Sequence, residues 1–171
     1  MKETIEGKAQ KMKIVYCNEF KERSTTAGYS GLKNLGNICY MNSMIQQLFM
    51  NKNFRYLLLR ADDQEPHTQT EIVDNKDEVR IVDDNFLHQI QRIFAFLQRT
   101  NRIDFAPHDF CVAYKPFGES VNIMIQQDVQ EFVSMFFDRL EAGLSNTPFK
   151  KLVYDFYLGK TVNLFKCHSC Q

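Results

Sequence analysis

The chain has 171 residues, 44% of them hydrophobic, with 21 basic side chains against 21 acidic ones and so no formal net charge. That is enough to bury a core, as one domain or part of a larger one, and the charge balance supplies no field to draw in nucleic acid or an anionic membrane. No apolar run approaches the roughly 18 residues of a membrane span, and the polar start, MKETIEGKAQKMKIVYC, lacks the apolar stretch of a secretory signal.

Five cysteines at irregular spacing, with no such signal, read as reduced thiols of a cytoplasmic protein rather than as a disulfide framework. Residues 1–28 form a lead-in segment with one candidate strand, Ile14 to Cys17. Cys17 and Cys111 both lie among large apolar neighbours and are expected to be inert core residues.

The stretch Gly31 to Leu48, GLKNLGNICYMNSMIQQL, is the first with chemistry in it. A turn containing Gly31, Gly36 and Asn37 delivers Cys39 to the first turn of a helix, which then runs apolar at Met41, Met44, Ile45, Leu48 and Phe49, the spacing of a helical face. Open N–H groups and the positive dipole end at a helix start favour thiolate over thiol, which suits a nucleophile. A buried structural cysteine fits the same place, and the residues alone leave both readings open. Asn34 carries a side-chain NH₂ that would meet a developing oxyanion if the turn folds it back beside the sulfur.

Asn51-Lys52-Asn53 breaks this helix ahead of a second, Phe54 to Arg60. The polar, acidic stretch Ala61 to Lys76 reads as an exposed loop or insertion, with His67 in no catalytic setting. Asp83-Asp84-Asn85 offers N-caps to an amphipathic helix with apolar Phe86, Leu87, Ile90, Ile93, Phe94 and Leu97. His88 lies one position off that stripe, where it is expected to be solvated or to pack. A short helix follows through Tyr114 with Pro107 at its first position, and His108 near its start reads as a surface or capping residue.

The longest helix is expected from Gln127 to Leu144, packing through Val129, Phe132, Val133, Phe136, Phe137 and Leu140. Asp128 and Glu131 sit at its N-terminal end, where the dipole favours negative charge. After Ser145-Asn146-Thr147-Pro148 the pattern turns strand-like, and Leu152 to Leu158 with Thr161 to Phe165 is expected to form a hairpin. It leads to Cys167-His168-Ser169-Cys170. A C-x-x-C pair can give two thiolates to a tetrahedral zinc, which needs four ligands; a redox pair or coincidence accounts for it equally well.

GLKNLGNICYMNSMIQQL resembles the cysteine box of the ubiquitin-specific proteases, and Gln126-Gln127-Asp128-Val129-Gln130-Glu131-Phe132 resembles that family's Gln-Gln-Asp-x-x-Glu-Phe motif, in the expected order. The spelling of GYSGLKN and IQQLFM is most similar to the large members that include the fat-facets type. The resemblance spans Tyr29 to Cys170. It implies an α+β fold, namely a mainly helical thumb-like part of a papain-like cysteine protease over 29–148, followed by the start of a β-hairpin fingers region over 149–171.

The same likeness implies a thiol protease that hydrolyses the bond after the C-terminal glycine of ubiquitin, in the cytoplasm and also the nucleus. Cys39 would be the nucleophile, Asn34 an oxyanion donor, and Asp128, Glu131 and Gln127 binders of ubiquitin's basic tail. Cys167 and Cys170 would be half of a structural zinc site, with no catalytic cofactor. None of the four histidines, His67, His88, His108 and His168, lies in anything like the family's histidine box. The chain is therefore expected to stop before the catalytic base and to be inactive alone. Ile38 departs from the family's threonine before the cysteine. A noncatalytic ubiquitin-binding or scaffold protein that keeps the fold is the alternative.

Overall fold

The computed structural model of the chain describes residues 28–62, 69–73 and 79–167. Its elements, in chain order, are β1 (Gly31–Leu32), α1 (Cys39–Met50), α2 (Lys52–Leu59), β2 (Gln69–Val73), β3 (Val79–Asp83), α3 (Phe86–Arg99), β4 (Asp104–Phe105), α4 (His108–Ala113), α5 (Val129–Leu144) and α6 (Leu152–Tyr157). The architecture is mainly helical α+β, as expected. Among the described residues the strands pair in twos, β1 with β4 in parallel and β2 with β3 antiparallel. The candidate strand at 14–17, and with it Cys17, His67, His168 and Cys170, lies outside the described residues.

α3 follows its sequence pattern closely. Phe86, Leu87, Ile90, Ile93, Phe94 and Leu97 recur at helical spacing, and all six are buried. Asn85 caps the helix, its Oδ1 accepting from the His88 N–H at 2.9 Å, which satisfies one of the donors that a helix start leaves open.

α5 is the element that the others lean on. It turns Phe132, Phe136, Leu140 and Leu144 inward. Phe132 meets the Tyr40 ring of α1 edge-on at 5.0 Å and that of Tyr114, just past α4, at 5.6 Å, while Phe136 meets Phe86 of α3 at 5.2 Å. Each such pair adds about 0.5–1.5 kcal/mol to what burial alone contributes, so one helix gathers three neighbours.

Several elements differ from the sequence reading. α5 starts at Val129, not Gln127, because Asp128 is its N-cap; Val129, expected to pack, is half exposed ahead of the buried stripe. The stretch 61–76, expected to be a loop, contains β2, whose register runs from Gln69↔Asp83 to Val73↔Val79. The polar sequence QTEIV carries little strand signal of its own, and its partner strand supplies the ladder. Pro107, expected inside α4, is its N-cap, with its carbonyl accepting from the Cys111 N–H at 3.1 Å.

The largest difference lies at the expected hairpin. Leu152 to Leu158 has the aromatic and β-branched composition of a strand, yet it folds as α6. A helix brings Leu152, Val153 and Phe156 to one side; the first two are buried, and Phe156 packs on Phe54 of α2 at 5.9 Å. Tyr157 stacks on Phe137 of α5 at 5.2 Å. Packing between two helices thus overrides local propensity. Residues 161–165, expected as the second strand, form no regular element, and Val162, Leu164 and Phe165 are exposed.

One buried group works against this core. Tyr114 is fully buried, and its hydroxyl has no hydrogen-bond partner among the described residues. Burial pushes that hydroxyl's pKa up to about 12, with the neighbouring Tyr40 adding to the rise. A buried polar group left unpaired costs about 1–3 kcal/mol. Tyr114→Phe should therefore raise stability by about 1 kcal/mol in urea unfolding, whereas Phe132→Ala should cost about 3–5 kcal/mol. A less stable Tyr114→Phe would show that the hydroxyl is bonded after all.

Candidate active site around Cys39

The segment that delivers Cys39 is fastened at its first end by backbone. The Gly31 N–H donates to the Ile103 carbonyl at 2.7 Å and the Lys33 N–H to the Phe105 carbonyl at 2.8 Å. The Lys33 carbonyl in turn accepts from Asn42 Nδ2 at 3.1 Å, which ties the strand's exit to the first turn of α1. Asn34 folds back between these points, its Oδ1 accepting from the Ile38 N–H at 3.3 Å. With the oxygen so committed, the NH₂ end of Asn34 is what is left to donate to a ligand.

Cys39 is the first residue of α1 and is exposed. The N-cap is Ile38, which offers no side-chain acceptor, and the first turn holds no acidic residue. Donors at the helix start therefore have no side-chain cap and can serve an oxyanion formed beside the sulfur. Ile38 itself is fully buried. Where a threonine would place a hydroxyl, this chain places hydrocarbon in the core.

The other side of the site arrives from far along the chain. A Cβ on Gly36 would lie 2.5 Å from the Ile123 carbonyl oxygen, so glycine alone fits there. The Asn37 N–H donates to that same oxygen at 2.7 Å, and Asn37 Nδ2 donates to the Met124 carbonyl at 2.7 Å. The loop so held is turned by Asn122, whose Oδ1 accepts from the Met124 N–H at 2.9 Å. Four residues on stands Asp128, whose Oδ1 accepts from the Gln130 and Glu131 N–H groups at 2.8 and 3.1 Å.

Asp128 is thus first of all a helix cap, with its second oxygen left for a ligand. Asp128 and Glu131 are exposed, and Gln127 is half-buried with its Oε1 unpartnered among the described residues. The sequence reading named Cys39, Asn34 and Asp128 as candidates but not the partnership of Gly36 and Asn37 with the loop. Gly36-Asn37 was legible as a turn; its contact, 87 residues downstream, has no local signal.

The remaining candidates fall elsewhere. His88 does more than sit in solvent, since its Nδ1 pairs with the Asp83 carboxylate at the start of α3. His108 opens α4, which packs against α3 and β3. Cys111 is buried, as expected; burial pushes its thiol up to about 12, with the charge of Asp109 adding to the effect. Cys167 is exposed, and among the described residues no three His, Cys, Asp or Glu side chains gather to hold a metal. Cys170, the other half of the C-x-x-C pair, lies outside the described residues.

Residues 30–171 match the family model "Ubiquitin carboxyl-terminal hydrolase". The chain is 33% identical over 144 residues to Ubiquitin carboxyl-terminal hydrolase 47 of Drosophila melanogaster, covering 84% of this chain and 8% of that protein. It is 29% identical over 151 residues to Ubiquitin carboxyl-terminal hydrolase 5 of Schizosaccharomyces pombe, covering 88% and 12%. It is 29% identical over 169 residues to Ubiquitin carboxyl-terminal hydrolase 47 of Xenopus laevis, covering 98% and 11%. The chain thus spans about a tenth of the length of these relatives.

The contrast between the two described helical cysteines is directly measurable. Iodoacetamide at about pH 8, below the usual thiol range, should alkylate Cys39 in the folded protein and reach Cys111 only after unfolding, as read by peptide mapping. The raised Cys111 pKa also has a sign. Its stabilising effect is complete below the unfolded value of 9.0 and is lost as pH rises towards about 12. Cys111→Val should therefore lessen the fall in Tm on going above pH 9.0; an unchanged fall would show that the thiol ionises freely.

Proposed function

Because the chain belongs to the ubiquitin carboxyl-terminal hydrolase family, we propose that it forms part of a cysteine-type deubiquitinase cleaving the isopeptide or peptide bond after the C-terminal glycine of ubiquitin. The observation that carries this is Cys39, exposed at the first position of a helix without a side-chain cap, with Asn34 folded onto the residue just before it.

In this reading the Cys39 sulfur attacks the scissile carbonyl, whose oxygen becomes anionic. The Asn34 NH₂ and a backbone N–H near Cys39 donate to that oxygen. The intermediate collapses to a thioester on Cys39 as the amine leaves with a proton, and water then releases ubiquitin's carboxylate. A base must take the thiol proton and later give it to the amine. None of the four histidines lies in a stretch like the family's histidine box, so we assign the base to no residue of this chain and expect the chain alone to turn over very slowly.

Asp128, Glu131 and Gln127 are assigned to the basic C-terminal tail of ubiquitin. The support is the exposed acidic pair at the start of α5, with one Asp128 oxygen not used in capping. Cys167 and Cys170 are assigned as half of a structural zinc site on their C-x-x-C spacing alone. The fat-facets likeness of GYSGLKN and IQQLFM, and residence in cytoplasm and nucleus, belong to the same proposal.

A ubiquitin probe with a C-terminal electrophile tests the assignment in the full-length protein. It should label wild type, and Cys39→Ser should abolish labelling. Asn34→Ala should slow turnover about 10²–10³-fold, the cost of losing one oxyanion donor. Labelling that survives Cys39→Ser would remove Cys39 from the chemistry. Binding of ubiquitin without any labelling would instead favour a noncatalytic scaffold.

A further inference from the structure

We propose that Asn37 is a positioning residue that locks the loop of residues 122–128 to the segment carrying Cys39, and so holds the substrate-binding start of α5 in register with the nucleophile. This rests on the reading of Cys39 and Asp128 above and deepens it.

Asn37 donates twice, to consecutive carbonyls of one distant loop. Its backbone N–H goes to Ile123 and its side-chain Nδ2 to Met124, each at 2.7 Å. Gly36, just before it, lets the backbones approach closely enough for both bonds to form. The two bonds have different backing. Val121 and Ile123 are buried, so the near half of the loop is anchored in the core, whereas Met124 and Ile125 are exposed and Gln126 with them. Among the described residues, the bond to Met124 is the last tie between the two segments before Asp128.

The sulfur is held by other means. Burial of Ile38, the Asn34 bond to the Ile38 N–H and the Asn42 bond to the Lys33 carbonyl all position Cys39 without Asn37. Losing the Asn37 amide should therefore loosen the substrate side and leave the nucleophile in place. The required side-chain chemistry is a donor facing the Met124 carbonyl, since the bond to Ile123 comes from the backbone. Aspartate has the same shape as asparagine but presents only acceptors when ionised, so it turns attraction into repulsion with no change in packing.

Wild type, Asn37→Ala and Asn37→Asp are compared in the full-length protein, by kinetics on a ubiquitin amide substrate and by amide hydrogen exchange. Asn37→Ala should raise KM about three- to tenfold, the scale of one hydrogen bond, with kcat within about twofold, and Asn37→Asp should raise KM further. In both, amides of residues 124–131 should exchange faster while those of α1 do not change. A residue that merely filled space would not separate Asn from Asp. A kcat loss at constant KM, or unchanged exchange in Asn37→Asp, overturns the proposal. If wild type cleaves no ubiquitin substrate, the functional reading fails on its own, and the exchange data alone decide whether the clamp exists.

Discussion

Where Gly36 passes the Ile123 carbonyl there is no space for even a methyl group, since a Cβ would sit at 2.5 Å from the oxygen. Everything that makes the site a site depends on that approach. It allows the Asn37 bonds to form, and these join the segment carrying Cys39 to the loop that ends in Asp128. Two such bonds contribute only about 1 kcal/mol each. Burying Ile38, Val121 and Ile123 on either side contributes more, at about 1.5–3 kcal/mol for each large aliphatic chain. Burial brings the two segments together, and the directional bonds set their register.

Below the contact the same two segments meet again through rings. Tyr40, the residue after Cys39, packs on Phe132, four residues after the cap of α5. Phe132 also touches Tyr114, which stacks on Phe110, and Phe110 meets Phe86. Among the described residues, the rings of Tyr40, Phe132, Tyr114, Phe110, Phe86 and Phe136 form one continuous cluster that carries tyrosine hydroxyls as polar handles. Those of Tyr40 and Tyr114 are buried without partners among the described residues. Burial raises the Tyr40 pKa, with the charges of Cys111 and Cys39 adding to the effect.

α6 shows how far packing can redirect a local preference. Its run of leucine, valine and aromatics suits a strand, and nothing within it forbids one. Against α2 and α5, however, a helix brings Phe156 and Tyr157 into contact with Phe54 and Phe137 and buries Leu152 and Val153. A groove of about 540 Å³ opens beside it, lined by Val129, Val133, Phe137, Tyr154, Tyr157 and Leu158 among others. β2 is the opposite case, a polar stretch drawn into a ladder by β3.

By itself the sequence determined the helices whose apolar stripes are long, α3 and α5 above all, because a period near 3.6 over three or more turns admits one solution. It also placed Cys39 at a helix start and, through two motifs in order, indicated the family. Those are local properties, carried by residues adjacent in the chain. What only the tertiary structure decided are relations across long separations: the clamp between residues 36–37 and 123–124, the pairing of β1 with β4, the helical state of 152–157, and the use of one Asp128 oxygen as a cap. Each depends on what lies opposite in space, and a one-dimensional pattern carries no record of its partner.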